Sequence, residues 1–194
     1  MPNSPSHDTR LPRFGIVAPL CSPLDDAAPQ RCWELGMAIA SAGCVLLTRT
    51  CAGLTHAVVL GARSAGGHVV GISPAASLAE HAEVYAAPWR DYDLLIFTGA
   101  GTAPHERIHL RNSDIVVLTD GATVAFDELA LAAGYGKLLG VLGSSRRPAA
   151  LPENADFIQD DDPERLVAQL LWRFVSERSA TSNRGRHPAV EVCS

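Results

Sequence analysis

The chain has 194 residues, with 16 Lys+Arg against 21 Asp+Glu and a formal net charge of −5. Its only lysine, Lys137, stands among fifteen arginines. A lysine-rich nucleic-acid surface is therefore excluded, as is a P-loop, because Gly134-Tyr135-Gly136-Lys137-Leu138 fails that motif at both ends.

Hydrophobic residues at 47% and charged residues at 19% describe one globular domain on the apolar side. Residues 1–12 are polar and proline-bearing and read as a disordered leader without an apolar signal core. Residues 14–19 then form a first buried strand, and 25–43 a helix that ends on Gly43. A second strand is predicted over 44–48, a helix over 53–67 with a Gly-Gly stop, and a third strand over 68–72. A short strand is expected at 83–87 and another at 93–98, running into Gly99-Ala100-Gly101. Residues 104–112 predict a helix with Pro104 in its first turn, and 115–118 a strand followed by a turn at 119–121. A helix over 124–134, a strand over 138–142 and an edge strand over 155–158 follow. An amphipathic helix over 163–178 ends the domain, with 179–194 expected as a flexible tail.

Continuous apolar strands of about five residues alternating with helices imply a doubly wound, mostly parallel sheet of the Rossmann type, covered on both faces. Such sheets bind ligands where the carboxyl ends of their strands meet the following loops. The five cysteines contain no C-x-x-C pair and are odd in number, which predicts free thiols in a reducing, cytoplasmic compartment. No run approaches the ~18 apolar residues of a membrane span, so no membrane partner is expected.

Three segments carry candidate chemistry. His105-Glu106-Arg107-Ile108-His109 spells H-E-x-x-H, in which His105 and His109 would share a helix face and bind Zn²⁺ while Glu106 served as general base. Against a zinc hydrolase, the segment is short and has no third ligand on the same helix. Thr98-Gly99-Ala100-Gly101-Thr102 joins a strand to a helix, as a ligand cradle or as a tight connection. Cys51, at a helix N-terminus, is either an activated thiol or a buried structural one. His56, His68 and His81 are read as surface or helix-packing residues.

The run from Cys44 to Pro74 resembles the strand, glycine-rich loop, helix and Gly-Gly-strand unit of the Lonely Guy (LOG) family and the related molybdenum-cofactor carrier proteins, members of the SLOG superfamily. That unit reads T-G-G-G-x-G-L-M-x-A, then G-A-x-x-A-G-G-x-V-I-G-I-x-P. The stretch from Asp114 to Leu129 is similar to the family's S-D-x-V-V-x-x-P-G-G-x-G-T-x-x-E-L. The resemblance implies a LOG-like Rossmann domain over 13–178 and a homodimer built through helices.

Both glycine motifs are eroded. Arg49, Thr50 and Cys51 stand where the first loop has glycines, and only Gly53 is kept. In the second, Gly121 and Glu128 are kept while Ala122, Val124 and Ala125 replace two glycines and a threonine. A Cβ at such positions crowds the backbone approach to a phosphate, and Asp120 places a negative charge there.

The resemblance implies either of two activities. One is binding of a nucleotide-like or molybdopterin-type anionic ligand by a catalytically degenerate protein, the molybdenum cofactor included. The other is hydrolysis of the N-glycosidic bond of a nucleoside 5′-monophosphate, with Glu128 and an arginine as catalytic residues. The family arginine aligns with His105, and Arg107 lies two residues on. Family members sometimes carry a lysine-decarboxylase label, which nothing in these residues supports.

The motif erosion favours binding, with Arg49, Arg107 and Arg111 replacing the lost backbone cradle. The ligand set expected from the sequence is Arg49, Thr50, Gly53, Gly99, Gly101, Arg111, Gly121 and Thr123.

Overall fold

The computed structural model describes residues 10–18, 26–119, 126–143, 151 and 153–184. Among these residues seven strands are formed: β1 (Arg13–Val17), β2 (Val45–Arg49), β3 (His68–Ser73), β4 (Leu94–Phe97), β5 (Ile115–Leu118), β6 (Leu138–Leu142) and β7 (Ile158–Asp160). Six helices of the described residues accompany them: α1 (Ala28–Ser41), α2 (Leu54–Ser64), α3 (Leu78–Glu83), α4 (Thr102–Asn112), α5 (Phe126–Gly134) and α6 (Pro163–Arg184).

The strands form one sheet in the order β4-β3-β2-β1-β5-β6-β7, and all the pairings are parallel. The chain thus winds outward from β1 in both directions, as the alternating apolar runs predict.

Registry across the sheet separates the two faces. Leu94, Val70, Leu47, Gly15, Val116 and Leu139 align in one row and face α4 and α5. On that side Val116 and Leu139 pack with Leu110 of α4 and Leu129 of α5. On the other, Phe14, Ile16, Leu46 and Val69 pack with Leu35, Val58 and Leu166 of α1, α2 and α6.

Helices α1 and α2 approach unusually closely. A Cβ on Gly36 would lie 1.9 Å from the Val58 carbonyl oxygen, and one on Gly61 would lie 1.8 Å from that of Trp33. These glycines are needed for the contact itself.

Four expectations change. Residues 83–87 do not form a strand. Instead Ser77 caps α3 by accepting the Glu80 N–H at 3.2 Å, while Glu80 Oε2 accepts the Ala76 N–H at 2.8 Å. This capping supports a short helix that ends at Glu83, and 84–87 follow it as irregular chain. The edge strand lies at Ile158–Asp160 rather than 155–158, set by its pairing of Ile158 with Gly140. Helix α6 continues past 178 to Arg184, because 179–184 contain no glycine or proline before Gly185. Finally, within the expected leader, Arg10 donates to Asp114 Oδ1 at 2.9 Å.

Lys137 is explained by the fold. Its Nζ donates to the carbonyls of Arg111 and Ser113 at 2.8 and 2.7 Å, closing the C-terminus of α4.

Candidate functional site

The last residue of β2 is Arg49, whose side chain projects from the sheet face covered by α4. Its side chain is 7% exposed, and one guanidinium nitrogen, Nη1, serves two carboxylates. Glu128 Oε1 from α5 lies at 2.7 Å and Glu106 Oε1 from α4 at 3.1 Å. Because β1 lies between β2 and β5, the Arg49–Glu128 pair spans the point where the winding reverses, the ligand crevice of this architecture.

The two carboxylates differ in environment. Glu128 is 11% exposed and its Oε2 is buried without a hydrogen-bond partner. Burial raises its carboxyl above the ordinary carboxylate range; Arg49 pulls it back and Glu106 adds to the rise. Glu106 is 33% exposed and borders a cavity of about 460 Å³. One guanidinium between two carboxylates leaves the cluster with a formal charge of −1 when both are ionised.

The cavity opens at the carboxyl ends of β2 and β3. Arg49, Thr50, Cys51 and Ala52 form one side, Pro74 another, and His105 and Glu106 of α4 a third. Tyr85, Ala86 and Ala87 complete the wall, with Ala86 in the left-handed region at φ 46°. Thr50 is buried and its Oγ1 has no partner. At the end of β5, Thr119 Oγ1 is likewise buried and unpartnered. Thr50 and Thr119 follow the carboxyl ends of β2 and β5, and Glu128 reaches the same end through Arg49, so three unsatisfied buried oxygens belong to this end of the sheet, where buried polar atoms ordinarily find partners.

The wall at 85–87 is held by Ser73 and by His81, which the sequence suggests as a surface or helix-packing residue. His81 is fully buried: its Nδ1 accepts from Ser73 Oγ at 2.8 Å and its Nε2–H donates to the Pro88 carbonyl at 3.3 Å. The Ala75 N–H donates to Ser73 Oγ at 3.1 Å. No local motif announces this, since the pair joins a strand end to a helix eight residues on.

The other expected residues divide sharply. Gly53 is the N-cap of α2 at φ 73°, beside the cavity wall formed by Cys51 and Ala52. The Gly99 and Gly101 N–H groups are committed to the Ala75 and Pro74 carbonyls at 2.9 and 3.3 Å, so Thr98–Thr102 is a tight connection tied to the β3–α3 turn. Arg107 is exposed and is no part of the cavity wall, because two helical positions from His105 turn it to the opposite face of α4. Arg111 lies at the far end of α4 with its guanidinium 5.0 Å from the Tyr135 ring. Gly121 and Thr123 lie outside the described residues. Cys51 is not activated: burial raises its thiol, Arg49 opposes this, and both glutamates reinforce it.

His105 and His109 do not act as a metal pair. His109 is fully buried, and its Nε2–H donates to the Leu47 carbonyl at 3.1 Å beneath the helix, whereas His105 borders the cavity. Burial first, then the charge of Arg49, lowers the His109 imidazole to about 3, which makes it a neutral packing group. Among the described residues no group of three His, Cys, Asp or Glu side chains is arranged to hold a metal ion.

The sequence model of the SLOG cluster4 family matches residues 21–167, well over half of the chain. The chain belongs to the SLOG cluster4 family. No curated protein matches it. Among solved structures, the molybdenum cofactor carrier protein of Chlamydomonas reinhardtii is 25% identical, with 86% of this chain and 99% of that one covered and a TM-score of 0.69. The molybdenum cofactor binding protein of Rippkaea orientalis is 24% identical over 86% and 99%, at a TM-score of 0.70. The DNA processing protein A of Helicobacter pylori is 15% identical over 84% and 81%, at 0.61, which is a likeness of fold alone. The family and these neighbours agree with the LOG-like, Rossmann-type reading of the sequence. Among the described residues, no helix is long and apolar enough to cross a membrane.

Proposed function

We propose that the chain binds a small nucleotide-like or molybdopterin-type ligand carrying an oxyanion, in the cavity at the ends of β2 and β3, and does not turn it over. The observation that carries this reading is the buried Arg49 guanidinium bordering a cavity of about 460 Å³, within the size range of small-molecule sites. Arg49 and the unpartnered Thr50 hydroxyl would hold the ligand phosphate, and the apolar wall of Pro74, Ala86 and Ala87 a flat ring.

The donor set suits the molybdenum cofactor as one member of this class, because its phosphate is an oxyanion and its pterin a flat ring. The relation to a cofactor carrier supports the same reading.

A thermal-shift screen over nucleoside monophosphates and phosphorylated pterins tests it. At least one compound should raise the melting temperature saturably, and a folded protein that responds to none contradicts the reading.

A second reading, N-glycosidic hydrolysis, rests on Glu128. The motif glutamate keeps an arginine partner, but that partner is Arg49 rather than a residue of α4. Release of ribose 5-phosphate from AMP, abolished in Glu128→Gln, would favour it over simple binding.

The reading includes a helix-packed homodimer, for which exposed Trp172 and Val175 on α6 are the support, and a light-scattering mass tests it. It also includes a cytoplasmic setting, supported by the free thiols Cys32, Cys44 and Cys51.

A further inference from the structure

The two carboxylates on Arg49 have unequal claims to it. Glu128 is enclosed and holds the guanidinium at 2.7 Å from a short helix packed on the core. Glu106 reaches the same nitrogen at 3.1 Å from the cavity side and is three times as exposed, at 33% against 11%. The Arg49 side chain is nearly closed to solvent, and Arg49 and Glu106 both line the cavity, so a ligand there that seeks the guanidinium finds the Glu106 carboxylate already on it. A second carboxylate on an already paired guanidinium adds like-charge repulsion without a second positive charge. Since Glu106 ends in a long, rotatable side chain partly in water, it can leave without opening the core.

We propose that Glu106 is an internal competitor that occupies on Arg49 the place of the ligand's oxyanion, so that anion binding requires its carboxylate to swing out. This rests on the binding reading above and sharpens it: Glu106 sets the threshold that an anion must exceed to reach Arg49, and so favours dianionic phosphates over singly charged anions. The anion must offer more to the guanidinium than a carboxylate does, which a dianionic phosphate achieves with its greater charge and additional acceptor oxygens. Neutral nucleosides, having no group for Arg49, leave Glu106 where it stands. Glu106 is then a specificity-determining residue, whereas Glu128 positions the arginine.

Calorimetric titration of the wild-type chain, Glu106→Gln and Glu106→Ala with AMP, adenosine and inorganic pyrophosphate tests the competition. Removal of the competing charge should tighten AMP and pyrophosphate by about tenfold in both variants. Adenosine should change by less than about twofold, since it carries no charge to compete. Unchanged or weaker binding of both anions in the variants overturns the competition, and if AMP still binds all three proteins the nucleotide reading survives. An equal gain for adenosine also overturns it, because the effect would then be steric. A gain for pyrophosphate with no AMP binding to any protein upholds the competition and removes the nucleotide reading. No binding of any probe to any of the three removes both.

Discussion

Glu128 of α5 meets Arg49 at the end of β2, with 2.7 Å between Oε1 and Nη1, although α5 follows β5, which β1 separates from β2 in the sheet. The acid retained from an otherwise eroded motif is thus held by a residue that replaced a glycine in another eroded motif. A departure from the family pattern, Arg49, is thus coupled in space to a residue that the pattern keeps, Glu128. Arg49, so held, also lines the cavity at the ends of β2 and β3.

Removing one partner of this pair should be costly. Arg49→Met leaves Glu128 buried beside Glu106 with no positive charge, and a loss of about 3 kcal/mol in folding stability is expected from an uncompensated buried carboxylate. The double variant Arg49→Met/Glu128→Leu should recover much of that loss. Urea denaturation of the two proteins measures both, and equal stability of Arg49→Met and wild type would contradict the coupling.

Arg107 and Arg111 should be dispensable. Both are candidates in the sequence because they lie on the helix before the second motif, yet Arg107 is exposed and Arg111 stacks on Tyr135 at the far end of α4. Arg107→Ala and Arg111→Ala are expected to bind any ligand found by the thermal screen within about twofold of wild type, as for surface positions away from a site. A loss of the shift in either would return that arginine to the site.

Much of the architecture was legible in the sequence because buried parallel strands are short, continuous apolar runs, and β1, β2, β3, β5 and β6 all have them. Helix α3 was not, as six residues carry too little periodicity; the Ser77–Glu80 capping box was its only local signal. Arg49 and Glu128 were both named from motif positions, but their contact joins residues far apart in the chain and follows from sheet order rather than spacing. Arg107 was chosen because it adjoins the aligned position. Helical geometry decides against it, since positions 105 and 109 share a face and 107 does not. The structural use of His109 was similarly hidden, because H-E-x-x-H fixes which side chains share a face but not whether that face meets a metal or a strand.

The close contact of α1 and α2 makes two glycine substitutions differ in sign. Gly61→Ala drives a methyl into the Trp33 backbone and should cost about 2–3 kcal/mol by forcing the helices apart. Gly134→Ala, where a Cβ meets nothing within 4 Å at the end of α5, should be neutral or stabilising by up to about 1 kcal/mol. Thermal denaturation of the two variants checks the contrast, and a tolerated Gly61→Ala would mean that α1 and α2 are less closely packed.

Asp114 should give the chain an acid-sensitive anchor. Burial raises its carboxyl, but the hydrogen bonds from Arg13 and the charges of Arg13 and Arg10 outweigh this and hold it below the usual range. With the folded value depressed, its contribution is complete above the unfolded value near 4 and is lost as the pH falls through the folded one. Asp114→Asn should therefore destabilise the protein by about 1–2 kcal/mol at neutral pH, discounted for the exposure of Arg10 and Arg13. Denaturation from pH 7 to pH 2 checks it: the gap between variant and wild type should narrow below pH 4, and a constant gap would assign the loss to packing.

The central claim, that an oxyanionic ligand occupies the cavity beside Arg49, is tested most directly through Cys51, which borders the same space. Alkylation of Cys51 can be followed by mass spectrometry in the presence of nucleoside monophosphates and phosphorylated pterins, with buried Cys32 and Cys44 as internal references. The account predicts that a compound raising the melting temperature also slows Cys51 modification severalfold, with half-protection at its dissociation constant. An unchanged Cys51 rate under saturating concentrations of every such compound would contradict it.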